Sequence, residues 1–235
     1  MKKRWIALAA LIMLLAAGVW AISGMSYTAQ EEALAAMASS DLVEVITLES
    51  AETAFVPQKI ERGFIFYPGG LVEHTAYAPL LRALAEEGWL CVLTEMPLDL
   101  AVLNPGAADG IAPAFPQVER WAIGGHSLGG AMAASYAAEH TDDFDMLVLL
   151  AAYSTADLTA SGLDVISLYG SEDGVLNREK YADDRKNLPD NTREIIIEGG
   201  NHAGFGHYGP QRGDGQAAIR AQEQIAITVN ELTKE

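Results

Sequence analysis

Ser127 stands between two glycines, in Gly125-His-Ser127-Leu-Gly129, and a serine in that frame can be made a nucleophile. The Gly-x-Ser-x-Gly spacing marks a nucleophile elbow, a sharp turn from strand into helix that lifts the hydroxyl clear of the backbone. Glycine is needed on either side because a side chain there runs into the neighbouring strand or helix, and because the turn strains the serine backbone. The flanks suit such a turn. Trp121-Ala-Ile reads as a short strand before it, and residues 131–140 as a strong helix former after it. The turn also aims the amide of Leu128 at the point where negative charge gathers on an attacked carbonyl.

A serine hydroxyl at neutral pH needs a base within hydrogen-bond reach, and the base needs an acid to orient it. Both are expected at the carboxyl ends of later strands, the acid before the base. The strand at 163–169 opens into Gly170-Ser-Glu-Asp-Gly174, which offers Asp173, or Glu172 if that neighbour faces inward. The strand at 193–198 opens into Gly199-Gly-Asn-His202-Ala-Gly-Phe-Gly, which offers His202, with His207 the alternative in the same loop. His74 precedes the serine, His126 inside the elbow should point away from the hydroxyl, and His140 ends the elbow helix. A second amide for an oxyanion is expected from Pro68-Gly69-Gly70-Leu71, after the strand at 63–67: Leu71 first, Gly70 next.

These residues need a scaffold to bring them together. Apolar runs at 42–48, 54–57, 63–67, 89–93, 121–123, 146–152, 163–169 and 193–198 read as strands. Helical spacing falls at 77–87, 131–140, 177–188 and 216–232, and Gly88 ends the first of these helices. Residues 98–114 are ambiguous, with Pro105 and Pro113 bracketing a candidate short helix. Continuous apolar strands alternating with helices mean a mainly parallel sheet covered on both faces, a three-layer α/β/α sandwich.

The chain has 235 residues, half of them apolar, which suits one globular domain. Its formal net charge of −17 repels phosphate backbones and argues against nucleic acid as a partner. The single cysteine, Cys91, lies among apolar residues and can make neither an internal disulfide nor a metal-spaced pair. Lys2, Lys3 and Arg4 precede an uncharged run at residues 5–25. That length fits a membrane-spanning helix, about 20 residues, better than the ~7–15 of a signal core, a cleaved signal being the alternative. Trp5 and Trp20 sit near its ends, and the basic flank should stay in the cytoplasm. The expected organisation is therefore an anchor at 1–25, a stalk at 26–41 and a globular domain at 42–235, held outside the cytoplasm at the cell membrane, or secreted after signal cleavage.

With the elbow, Asp173, His202 and the Pro-Gly-Gly loop in this order and spacing, residues 42–232 resemble the α/β-hydrolase superfamily. Within it the chain is similar to the small bacterial serine hydrolases related to dienelactone hydrolase and the carboxylesterases. It departs from dienelactone hydrolase in having Ser127 where that enzyme has cysteine, which sets the lactone substrate aside. The resemblance implies the α/β-hydrolase fold, no metal or organic cofactor, and cleavage of a small carboxylic ester or thioester through an acyl-enzyme on Ser127. Only residues 153–162 separate two strands where relatives insert a lid, so no cap domain is expected. The open site is then expected to be shaped by Glu73, His74 and Tyr77 on one side and by 205–211, with Phe205 and Tyr208, on the other. Tyr208, Gln211 and Asp214 have a second reading, as residues that order their Gly-rich loop. Two other functions share this scaffold: an acyltransferase acting on a cell-envelope acceptor, and a non-catalytic envelope protein.

Overall fold

The computed structural model describes residues 24–49 and 51–234. Eight strands form one sheet: β1 (Val43–Thr47), β2 (Thr53–Pro57), β3 (Arg62–Tyr67), β4 (Trp89–Leu93), β5 (Trp121–His126), β6 (Met146–Leu150), β7 (Asp164–Gly170) and β8 (Arg193–Ile197). Their order is β1-β2-β4-β3-β5-β6-β7-β8. β1 and β2 run antiparallel to their neighbours, and everything from β4 to β8 is parallel. β3, β4 and β5 are buried at every position, as strands covered on both faces must be.

The helices are α1 (Glu31–Ala36), α2 (Ala78–Glu86), α3 (Ile111–Ala114), α4 (Leu128–Glu139), α5 (Arg178–Asp184) and α6 (Ala221–Thr233). Period-two alternation along β3 splits the core into two layers. Phe64 and Phe66 pack with Leu80, Leu81 and Leu84 of α2 and with Ile225 and Val229 of α6. Ile65 and Tyr67 pack on the other face with Ala133, Ala134 and Ala137 of α4. The three-layer sandwich without a cap is thus present, the connection from β6 to β7 carrying no helix. The chain leaves β3 for β4 on one side and returns to β5 on the other. Ligands of open parallel sheets bind outside the carboxyl ends of the strands at such a reversal.

Two expectations need correction, and one ambiguous stretch is resolved. Residues 26–41 are not a stalk. Tyr27 bridges Val72 in parallel, its amide donates to the Leu71 carbonyl at 2.8 Å, and Ala33 is fully buried. The last helix begins at Ala221 rather than 216, because the amides of Ala218 and Ile219 donate to the Gly199 carbonyl. The helix instead starts at extended Arg220, whose amide is capped by the Glu223 carboxylate at 2.9 Å. Residues 98–114 fold into short 3-10 turns and the single turn of α3. Of the apolar run at 5–25, only its last two residues are among those described. Among the described residues no helix is long and apolar enough to cross a membrane.

Candidate active site

β5 ends at His126, and Ser127 turns the chain into α4 with φ 52° and ψ −120°. A non-glycine residue held there carries strain on the order of 1–3 kcal/mol. The turn is fixed from both sides: the Ser127 amide donates to the Leu150 carbonyl at 2.9 Å, and the Ala131 amide donates to the Ser127 carbonyl at 3.1 Å. Both flanking glycines are sterically required. A Cβ on Gly129 would land on the carbonyl oxygens of Tyr67 and Pro68, and one on Gly125 on the Tyr67 carbonyl and the start of α4. The elbow therefore presses directly on the end of β3 and the loop that follows it.

Asp173, after β7, and His202, after β8, are brought together. His202 Nδ1 lies 2.8 Å from Asp173 Oδ2, and both side chains are buried. The other carboxylate oxygen, Oδ1, accepts from the amides of Val175 and Leu176, each at 2.8 Å. Burial alone would raise the Asp173 pKa. The hydrogen bond and charge of His202, with the two amides, outweigh it and hold the carboxyl below its ordinary value. The ionised carboxylate can only accept, so Nδ1 carries the hydrogen and Nε2 presents a lone pair. Nε2 has no hydrogen-bond partner among the described residues. His202 lines a pocket together with Ser127, but its Nε2, a buried atom, makes no hydrogen bond to the serine in this conformation. Such bonds are often long in ligand-free enzymes and tighten when substrate binds.

Asp214 stitches the two loops together. Its carboxylate accepts from the amides of His202 (3.2 Å) and Ala203 (2.9 Å) on the base loop and of Gly174 (3.1 Å) on the acid loop. Glu172, the alternative acid, is exposed, and among the described residues its carboxylate accepts only from Ser171. His207, the alternative base, lines a separate cavity with Glu32 and Pro79.

The oxyanion expectation changes. The Leu71 amide is already spent, donating to the Asp99 carbonyl at 2.7 Å. Leu71, Leu98 and Asp99 all take positive φ (57°, 54° and 55°) around this contact. The amide of Gly70 has no partner among the described residues, and a Cβ on Gly70 would stand 2.9 Å from the Leu128 side chain. The Leu128 amide is one of the first-turn donors that a helix leaves open. Gly70 and Leu128 are therefore neighbouring residues, and neither amide has a partner among the described residues.

The expected substrate contacts are also corrected. Tyr77 is fully buried. Its hydroxyl accepts from the Gly69 amide at 3.1 Å and meets His126 Nδ1 at 2.8 Å. Phe205 is fully buried, and Tyr208, also buried, donates to Gln211 at 2.9 Å. Tyr208, Gln211 and Asp214 thus order their loop. Glu73 holds the N-terminal segment, accepting from the Ala29 amide at 2.9 Å and the Thr75 hydroxyl at 2.8 Å. His74 opens the 3-10 turn His74–Tyr77. None of the five lines the pocket that holds Ser127 and His202. The His126 ring meets the Tyr77 hydroxyl through Nδ1 and lies beside His202, with ring centroids 4.5 Å apart. Burial, and then the nearness of His202, hold His126 well below its ordinary pKa, so it stays neutral.

The pocket itself measures about 240 Å³ and is walled by Leu128, Ala131, Ala151, Ala152, Tyr153, Val175, Leu176 and Asn177. Alanines carry no chemical signal in a sequence, which is why these walls went unread. Ala151, with φ 48°, would have stood out only by its backbone. Among the described residues no three metal-ligating side chains cluster.

A family model described as the alpha/beta hydrolase family matches residues 63–226. No curated protein matches the sequence. Solved structures share the fold at low identity. Carboxyl esterase 2 from the mycorrhizal fungus Tuber melanosporum has a TM-score of 0.59 and 11% identity, over 88% of this chain and 89% of its own. A predicted CIB-like hydrolase from Thermoplasma acidophilum has 0.55 and 15%, over 81% and 96%. TT1662 from Thermus thermophilus has 0.57 and 15%, over 82% and 99%.

Proposed function

The chain belongs to the alpha/beta hydrolase family, and from that premise we propose that it cleaves carboxylic esters or thioesters through an acyl-enzyme on Ser127. The observation that carries the reading is the buried Asp173–His202 pair: His202 lines the same pocket as Ser127, and its Nε2 has no hydrogen-bond partner among the described residues. A likeness in fold to a carboxyl esterase agrees with it.

In the proposed reaction Ser127 Oγ attacks the carbonyl carbon, and its proton passes to His202 Nε2. Asp173 stabilises the imidazolium through Nδ1. The oxyanion is held by the amides of Gly70 and Leu128, which need no reorganisation because their backbones are already fixed. The tetrahedral centre collapses, the bond to the alcohol oxygen breaks, and His202 returns its proton to that oxygen. Water then attacks the acyl-enzyme, again giving its proton to Nε2, and the acid leaves as Ser127 recovers its hydrogen.

Ser127→Ala in the full chain should lower turnover of p-nitrophenyl acetate by at least ~10³-fold, the loss expected when a nucleophile is removed. Equal turnover by parent and variant overturns the assignment.

A further inference from the structure

The cavity at Ser127 also speaks to what is bound there. Resting on the ester hydrolase reading, we propose that this protein is selective for short, uncharged acyl groups, and that Ala131, Ala151, Ala152 and Tyr153 set the limit.

At about 240 Å³ the pocket falls below the ~300–1,000 Å³ of sites that enclose drug-sized ligands. Its walls cannot retreat cheaply. Ala152 is packed so closely on the elbow helix that a Cβ on Gly130 would stand 2.6 Å from its own. Ala151 is pinned at positive φ, its amide donating to the Leu168 carbonyl at 2.7 Å. Val175 and Leu176 are tied through their amides to Asp173 Oδ1, so moving that wall disturbs the carboxylate that orients His202.

The chemistry of the walls excludes charge. Methyl and branched aliphatic groups dominate, and no Arg or Lys lines the pocket. Lys180 stands 5.4 Å from the Tyr153 ring centroid and is engaged by Asp184 at 3.3 Å. Asn177 adds an amide at the edge of the lining but no charge, so a carboxylate on the substrate would be taken from water with no cation to pair it, in a protein of net charge −17.

The enclosed side suits the acyl rather than the alcohol part. The alcohol must leave and water must arrive while the acyl group stays bonded to Ser127, so the exchange needs the open side and the retained group takes the closed one.

The test uses the full chain and p-nitrophenyl acetate, butyrate, hexanoate, octanoate and decanoate, with mono-p-nitrophenyl succinate as the charged partner of butyrate. In an apolar pocket one ill-fitting methylene is worth about 10–200-fold. We expect kcat/KM to peak at acetate or butyrate and to fall at least ~10-fold by octanoate, with the succinate well below butyrate. Ala131 is only partly buried on α4, where leucine is also a good helix former. Ala131→Leu should therefore cut the butyrate-to-acetate ratio about tenfold, and Ala131→Val should do so less. A Ser127-dependent enzyme that prefers octanoate or decanoate, accepts succinate as well as butyrate, or keeps its ratio in both variants overturns the selectivity while the hydrolase reading stands. Turnover that does not depend on Ser127, or none for any ester, overturns both.

Discussion

The imidazole of His202 has two unlike surroundings. Behind it lies an aromatic wall of Tyr77, His126, Phe205 and Tyr208, with ring centroids 4.5 to 6.3 Å apart. Its hydroxyls are all used, Tyr77 on Gly69 and His126 and Tyr208 on Gln211. In front lies a small pocket lined mainly by aliphatic residues, with Tyr153 and Asn177. The side chains richest in chemistry are thus spent on holding the base still. The groups proposed to meet the substrate do little except define a volume. The wall also joins two loops: Gly69, beside the free amide of Gly70, is linked through Tyr77 and His126 to the ring of His202.

If position is set from behind, the acid must still set the tautomer. Asp173→Asn tests this, and it carries the largest effect. Asparagine can keep one oxygen on the amides of Val175 and Leu176, but it then turns an NH₂ toward His202 Nδ1. The ring must accept there and carry its hydrogen on Nε2, where it cannot act as a base. We expect kcat for p-nitrophenyl acetate to fall about 10³–10⁴-fold, with the folded state retained by circular dichroism. A loss below tenfold would mean that the aromatic wall alone fixes the base.

Tyr77→Phe sharpens the same contrast from the other side. It removes one hydroxyl and leaves the Gly69 amide and His126 Nδ1 without their partner. Unfolding in urea should show a loss of about 1–3 kcal/mol, while the ratio of rates on butyrate and acetate stays as in the parent. A shift in that ratio without a loss of stability would return Tyr77 to the substrate-contact role that its place in the sequence suggests.

That misplacement shows what a sequence can and cannot tell. The strands were readable because double-sided burial demands unbroken apolar runs, as in Trp89–Leu93. The elbow was readable because steric contact forbids anything but glycine at 125 and 129. Asp173 was separable from Glu172 only in three dimensions, since neighbours on a turn face different ways. Leu71 failed because its amide is taken by Asp99, a partner that no local pattern announces. The segment at 26–41 failed for the same reason. Its Ala- and Glu-rich composition looks detached, yet Tyr27 pairs with Val72 and its hydroxyl accepts from the Arg212 amide at 2.9 Å. Aromatic residues near a catalytic loop look like a binding surface or like packing, and periodicity does not distinguish them.

The smallest effect concerns charge in the wall. His126 is fully enclosed, and the Tyr77 hydroxyl, which accepts from Gly69, has its own hydrogen to give to Nδ1. Burial, then His202, keep the folded pKa well below the ordinary value. In the unfolded chain the same side chain titrates near its usual ~6.5. Between those two values the unfolded state holds a proton that the folded state lacks, so stability falls as pH falls, by at most about 1.4 kcal/mol per pH unit. His207, also lowered by burial with Glu32 pulling the other way, adds a slope of the same sign. Asp173 acts elsewhere. Its pKa is depressed, so its stabilisation is complete above the unfolded value of ~3.9 and is lost only as pH drops through the folded one. His126→Gln should therefore flatten the fall in urea-unfolding free energy between about pH 6.5 and 5, leaving the His207 part. An unchanged slope would show that the wall behind His202 admits a proton, and with it that the two sides of the imidazole differ less in polarity than their residues imply.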